Sequence, residues 1–137
     1  MGCCKSRGFY IYMLWKSKNN HQLGTGFFVN QGIVSAVKRV EFVGDRVSHI
    51  VLRDHWFNII VLNVHAPSEE KTDDSKDSFY GDLEQVVDQF PKYHTKILLG
   101  DFNAQLGRED IFKLMIGNES LHHDSNDNGV IIVNFAT

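Results

Sequence analysis

The sequence predicts a layered domain of the α/β or α+β class. Three observations carry that expectation. Short runs of β-branched, aromatic and aliphatic residues recur between Gly, Pro, Asn and Asp, as strands do. One long amphipathic helix pattern lies between Pro67 and Pro91. A further strand-like run, Ile97-Leu98-Leu99, follows it, so strand, helix and strand alternate. With 137 residues, 42% apolar and 23% charged, the chain fits one globular domain at most.

Phe9 to Trp15 is aromatic-rich and reads as a strand. Lys16 to Gln22 reads as a polar hairpin loop, and Gly24-Thr25-Gly26-Phe27-Phe28-Val29 as the returning strand. Ile33 to Val43 is ambiguous. Val47, Ile50 and Leu52, interleaved with Arg46, Ser48 and Arg53, predict a half-buried strand. Phe57 to Val64 is nearly all apolar and predicts a central strand, closed by Asn63-Val64-His65-Ala66-Pro67. Asp73 and Asp74 favour a helix start through the macrodipole, and Phe79, Leu83, Val86, Val87 and Phe90 form its apolar stripe, a core-packing pattern. Arg108 to Met115 reads as a short helix or turn, and Gly117 to Gly129 as a polar loop with a turn signal at Asn128-Gly129. Val130 to Phe135 has strand propensity, although Asn128 could also cap a helix there.

The chemistry concentrates at Lys96-Ile97-Leu98-Leu99-Gly100-Asp101-Phe102-Asn103-Ala104. The apolar run predicts a strand buried on both faces, and Gly100 lets the backbone turn. If Asp101 to Asn103 stays extended, both side chains point to one side. A carboxylate that can take a proton and an amide that can donate to an anionic oxygen would then suit attack on a phosphate. The plainer alternative is an Asx-type turn in which both residues serve the local backbone. His65, at the end of another buried run, would join them on one rim if the two strands are neighbours. A lone His in that place is more often a satisfied structural group.

Net charge is −3, but residues 1–40 hold six Lys and Arg and no Asp or Glu. That segment reads as basic surface, or alternatively as a face toward a polyanion. Cys3 and Cys4, the only cysteines, make no disulfide framework. They predict a reducing, intracellular setting, nuclear or cytoplasmic. No apolar run is long enough to span a membrane. Met1-Gly2-Cys3-Cys4-Lys5-Ser6 fits the N-myristoylation pattern at Gly2, a short pattern that also arises by chance, and stable membrane association is not expected.

Four blocks in order resemble the endonuclease/exonuclease/phosphatase superfamily, and within it the apurinic-type endonuclease domain of RTE-like non-LTR retrotransposons. They are Gly24-Thr25-Gly26-Phe27-Phe28-Val29; Asn63-Val64-His65-Ala66-Pro67; Leu99-Gly100-Asp101-Phe102-Asn103-Ala104 with Leu106-Gly107-Arg108; and Ser125-Asn126-Asp127-Asn128-Gly129. The resemblance runs from about Phe9 onward, leaving residues 1–8 as a tail outside a partial domain spanning 9–137. It implies a deoxyribonuclease I-like four-layer sandwich, two packed β-sheets flanked by helices. It also implies Mg²⁺-dependent cleavage of a DNA phosphodiester. Matching positions assign Asp101 to the attacking water, and to metal as a weak candidate. Asn103 falls to the scissile phosphate and His65 to the phosphate or the leaving oxygen. The resemblance also favours a helix over Val130 to Phe135, capped by Asn128.

The chain departs from that pattern at both ends. The family's metal-binding glutamate comes from a strand before the Phe9 hairpin, where no acid occurs. The family's Ser-Asp-His block would lie beyond residue 137, and His122 and His123 do not replace it. The expectation is an incomplete endonuclease domain with little or no activity and with unpaired sheet edges that favour aggregation. Two alternatives are a non-catalytic nucleic-acid-binding remnant and another phosphodiesterase or phosphatase of the superfamily.

Overall fold

The computed structural model describes residues 2–13, 25–105 and 124–136. The larger of its two sheets is organised by strand β6, Ile59–His65, in the order β4-β5-β6-β7. β4 (Val37–Val43), β5 (Val47–Leu52) and β6 pair antiparallel, whereas β7 (Thr95–Asp101) pairs parallel to β6. A parallel pair needs a long crossover, and helix α1 (Asp73–Asp88) supplies it. The smaller sheet is the antiparallel set β1 (Gly2–Ser6), β2 (Phe9–Met13) and β3 (Gly26–Asn30). The arrangement is α+β: two packed sheets flanked by helices, as the sequence predicts. No helix among the described residues is long and apolar enough to cross a membrane.

Several expectations change in detail. Within the segment before Phe9, Gly2–Ser6 forms a strand that pairs in register with Phe9–Met13. The ambiguous stretch resolves into a 3-10 helix, Gln31–Ala36, followed by β4. Asn30 starts the 3-10 helix by accepting the Gly32 N–H at 2.8 Å. The expected hairpin loop over Lys16 to Gln22, the helix or turn over Arg108 to Met115, and His122 and His123 lie outside the described residues.

Helix α1 begins at Thr72, whose hydroxyl accepts the Ser75 N–H, with Asp73 and Asp74 in the first turn. Its stripe Phe79, Leu83, Val86 and Phe90 is buried against Ile60, Leu62 and Val64 of β6 and Val47 and Val51 of β5. Burying each large aliphatic side chain contributes about 1.5–3 kcal/mol. Leu83, Ile60 and Leu62 are essentially inaccessible and centre this core. Lys76 is also buried, its ammonium 3.5 Å from Glu69 Oε2. The second described helix, α2 (Asp127–Ala136), lays Ile131, Ile132 and Phe135 against the same cluster. This bears out the helix over Val130 to Phe135 and sets aside the strand propensity.

The opposite face of β6 looks toward the smaller sheet, where the Asn63 amide donates to the Gly26 carbonyl at 3.1 Å. β5 is covered on both faces, so Val47 through Val51 are all buried. The expectation of a half-buried β5 with Ser48 outside is therefore overturned by the smaller sheet's cover. β7 reverses the other way. It is the edge strand among the described residues, and Ile97 and Leu99 are 41% and 52% exposed rather than buried on both faces.

His49 is a consequence of β5's double cover. It is fully buried, neither ring nitrogen has a hydrogen-bond partner among the described residues, and its ring meets Phe90 edge-on at 5.1 Å. Glu41, opposite it on β4, approaches to 3.4 Å, and Arg39 also faces it. Burial lowers the imidazole pKa below its ordinary 6.5, outweighing the carboxylate of Glu41 that raises it; Arg39 lowers it further. Below that ordinary value the unfolded chain binds a proton that folded His49 does not. This contribution is complete above 6.5 and declines as pH falls beneath it. Urea midpoints measured from about pH 7.5 down to about pH 5.5 should therefore fall more steeply for the parent chain than for His49→Leu. Parallel slopes would remove His49 from the pH dependence.

Candidate functional site

The polar rim begins where the chain leaves β6 and β7 side by side. Residue pairs run in register from Ile59 with Thr95 to His65 with Asp101. Because paired residues share a face, His65 and Asp101 sit together at the C-terminal end of the sheet. Their backbones are joined by the Ala66 N–H, which donates to the Asp101 carbonyl at 2.8 Å. Arg46 fixes the other side of His65 by donating to its carbonyl at 3.1 Å. Gly100 makes this approach possible. It adopts φ +137°, and a Cβ there would collide with the Val64 carbonyl.

Asp101 to Asn103 does not stay extended. Asn103 has φ +47°, a left-handed conformation that Asn tolerates better than most residues. One Asp101 carboxylate oxygen accepts the Asn103 N–H at 2.9 Å, the geometry of an Asx turn. The Asn103 side chain turns back to donate to the Ala66 carbonyl at 2.7 Å. The local-turn alternative and the site alternative thus coexist. The turn keeps Asn103 beside Asp101 and His65, and Asp101 remains exposed. Of the two N–H groups on the Asn103 amide, one donates to Ala66 and the other has no acceptor among the described residues.

Asn126, which had no individual sequence role, and Asn128, expected as the helix cap, complete the rim. Asn126, rather than Asn128, caps α2: its Oδ1 accepts the Gly129 N–H at 2.8 Å and the Gln105 N–H at 2.9 Å. Its amide donates to the Asn103 carbonyl at 3.1 Å. Asn128 lies inside the first turn and is fully buried, donating to the Pro67 carbonyl at 3.0 Å and the Asn103 carbonyl at 3.3 Å. Glu69 accepts the Asn128 backbone N–H at 3.0 Å. The correction from Asn128 to Asn126 follows from Gly129, where any Cβ would strike the Gln105 carbonyl and block the close pass of loop and helix. Asn126 three residues ahead of Gly129 is the capping spacing, which is the signal that could have identified it.

Magnesium requires several oxygen ligands in near-octahedral array. Among the described residues no three His, Cys, Asp or Glu side chains cluster to hold a metal. Asp101 has one oxygen engaged by the Asn103 N–H, and its neighbours on the rim are a histidine and amides. These residues do not fit a magnesium centre.

The chain is similar to Craniofacial development protein 2 of Bos taurus and of Tragulus javanicus. Each is 27% identical over 111 residues, which is 81% of this chain and 19% of the relative. The chain thus spans about a fifth of the length of the curated relatives it matches. No family model matches it.

Two substitutions test the construction of the rim. Asn126→Ala removes a helix cap and leaves the Gln105 N–H without its acceptor, and should cost about 2 kcal/mol in urea denaturation. Asn126→Asp keeps both acceptor bonds and should cost less. Gly100→Ala combines positive φ with a backbone collision and should cost more than about 3 kcal/mol or prevent folding. A wild-type midpoint for Gly100→Ala would show that β6 and β7 can separate freely at this end.

Proposed function

We propose that this chain carries the phosphate-facing half of a phosphodiesterase site of the endonuclease/exonuclease/phosphatase type. By descent it is part of an apurinic-type DNA endonuclease domain like that of RTE-like retrotransposons, and these residues alone have little or no strand-nicking activity. The observation that carries the reading is the in-register His65–Asp101 pair with Asn103 turned onto the same rim. The order of the motif blocks along the chain supports it, as does the likeness to Craniofacial development protein 2.

In that reading Asp101 orients or deprotonates an attacking water, and the second Asn103 N–H donates to a phosphate oxygen. His65 contacts the phosphate or assists the leaving oxygen. A single positioned acid–base group is worth about 10²–10⁴ in rate. Enzymes reach about 10⁶–10¹⁷ over the uncatalysed reaction. The residues present therefore supply recognition of a phosphodiester and a small part of the catalysis, and the missing part is what a metal centre would contribute.

The reading is tested with supercoiled plasmid in magnesium buffer. Parent and Asp101→Ala should both leave no more nicked circle than buffer alone. Nicking by the parent that disappears in Asp101→Ala would overturn the inactive half of the proposal. Titration with a short duplex oligonucleotide should shift the Asn103 side-chain amide resonances. A rim unmoved by duplex at any concentration would overturn the phosphate-facing half.

A further inference from the structure

The outer surface of the larger sheet carries a feature that the phosphodiester site does not use. Asp73, Asp77, Gly81, Glu84 and Asp88 recur at intervals of four, four, three and four, so they form one line along α1. That line borders a crevice between α1 and α2. Asp77, Glu84 and Asp88 rim one stretch of it over a floor of Val87, Ile131 and Phe135. Asp73 and Asp127 rim the adjoining stretch beside Val130. Like charges four residues apart destabilise a helix, and Asp73/Asp77 and Glu84/Asp88 are two such pairs. No salt bridge reaches these four carboxylates among the described residues; the nearby cation, Lys76, is buried and held by Glu69.

A further observation points to an occupant. Gly81 sits mid-helix, where glycine weakens a helix relative to alanine. It has no internal reason to be glycine: a Cβ there would meet nothing within 4 Å. Its missing side chain opens a notch in the crevice wall, and a close-approaching backbone is what such a notch accommodates.

We propose that the α1–α2 crevice docks a basic amphipathic helix of a partner protein. The occupant's apolar stripe would lie on Val87, Ile131 and Phe135, its backbone passing Gly81, and its Lys or Arg residues would pair with Asp77, Glu84 and Asp88. The acid rim repels a polyanion, so this face is distinct in chemistry from a nucleic-acid surface.

The probe is a fluorescein-labelled amphipathic peptide of Leu, Ala and Lys, about 16 residues long, read by anisotropy on the full chain. An isomer of identical composition, scrambled to lose its apolar stripe, is the control. The amphipathic peptide should bind with micromolar affinity, and the scrambled one at least about tenfold more weakly. Gly81→Gln fills the notch and should weaken binding about tenfold or more while leaving the melting temperature no lower than the parent's. Glu84→Gln combined with Asp88→Asn should weaken binding similarly. Absence of binding by the parent, equal affinity for both peptides, or full affinity in Gly81→Gln would each overturn the proposal.

Discussion

The contact between Gly100 and the backbone of Val64 is the constraint from which the rim follows. Parallel strands can end at the same level only if their last residues pass closely, and here the pass is too close for any side chain on Gly100. The buried alternation of Ile60, Leu62 and Val64 holds β6 in place beneath α1, and β7 is drawn against it. Asp101 is thereby set beside His65 before any polar interaction is counted. The hydrophobic core fixes the positions, and the polar groups finish the local geometry.

What finishes it is chiefly a set of asparagines, joined by Asp101, Glu69 and Arg46. Asn103, Asn126 and Asn128 bind the carbonyls of Ala66, Pro67 and Asn103 and the N–H groups of Gln105 and Gly129. Three segments far apart in sequence are thus tied by neutral hydrogen bonds, each worth about 0.5–1.5 kcal/mol net. Carboxamides donate and accept at once, so one side chain can satisfy two strands of loop. They do not bind a divalent cation as a carboxylate cluster does. The rim is consequently well suited to hold its own shape and to donate to an anion, and poorly suited to concentrate positive charge.

Much of this was legible before any coordinates. The unbroken apolar run ahead of His65 marked β6, the stripe from Phe79 to Phe90 marked α1, and Gly100-Asp101-Phe102-Asn103 marked the rim, because each signal is local and periodic. The failures are of another kind. Ser48 looked outward by alternation, yet it lies buried on the face of β5 turned toward the smaller sheet, and alternation cannot report a second layer. Ile97 and Leu99 looked doubly buried, yet among the described residues no strand lies beyond β7. Asn103 left the extended conformation because its own side chain and that of Asp101 offered the backbone better partners than continuation of the strand. The cap at Asn126 had a local signal in its three-residue spacing to Gly129, whereas its hold on the Gln105 N–H joins segments that no short window of sequence contains.

Charge is unevenly distributed along the sequence, and this bears on how a large anion could approach. The first 40 residues carry six cations and no acid, and their described parts include the smaller sheet and the start of β4. An anion is repelled along α1, where six acids accompany one buried cation. Screening limits this repulsion to about 10 Å at 0.1 M salt. Only charges near the rim, such as Arg46 beside His65, act at contact distance.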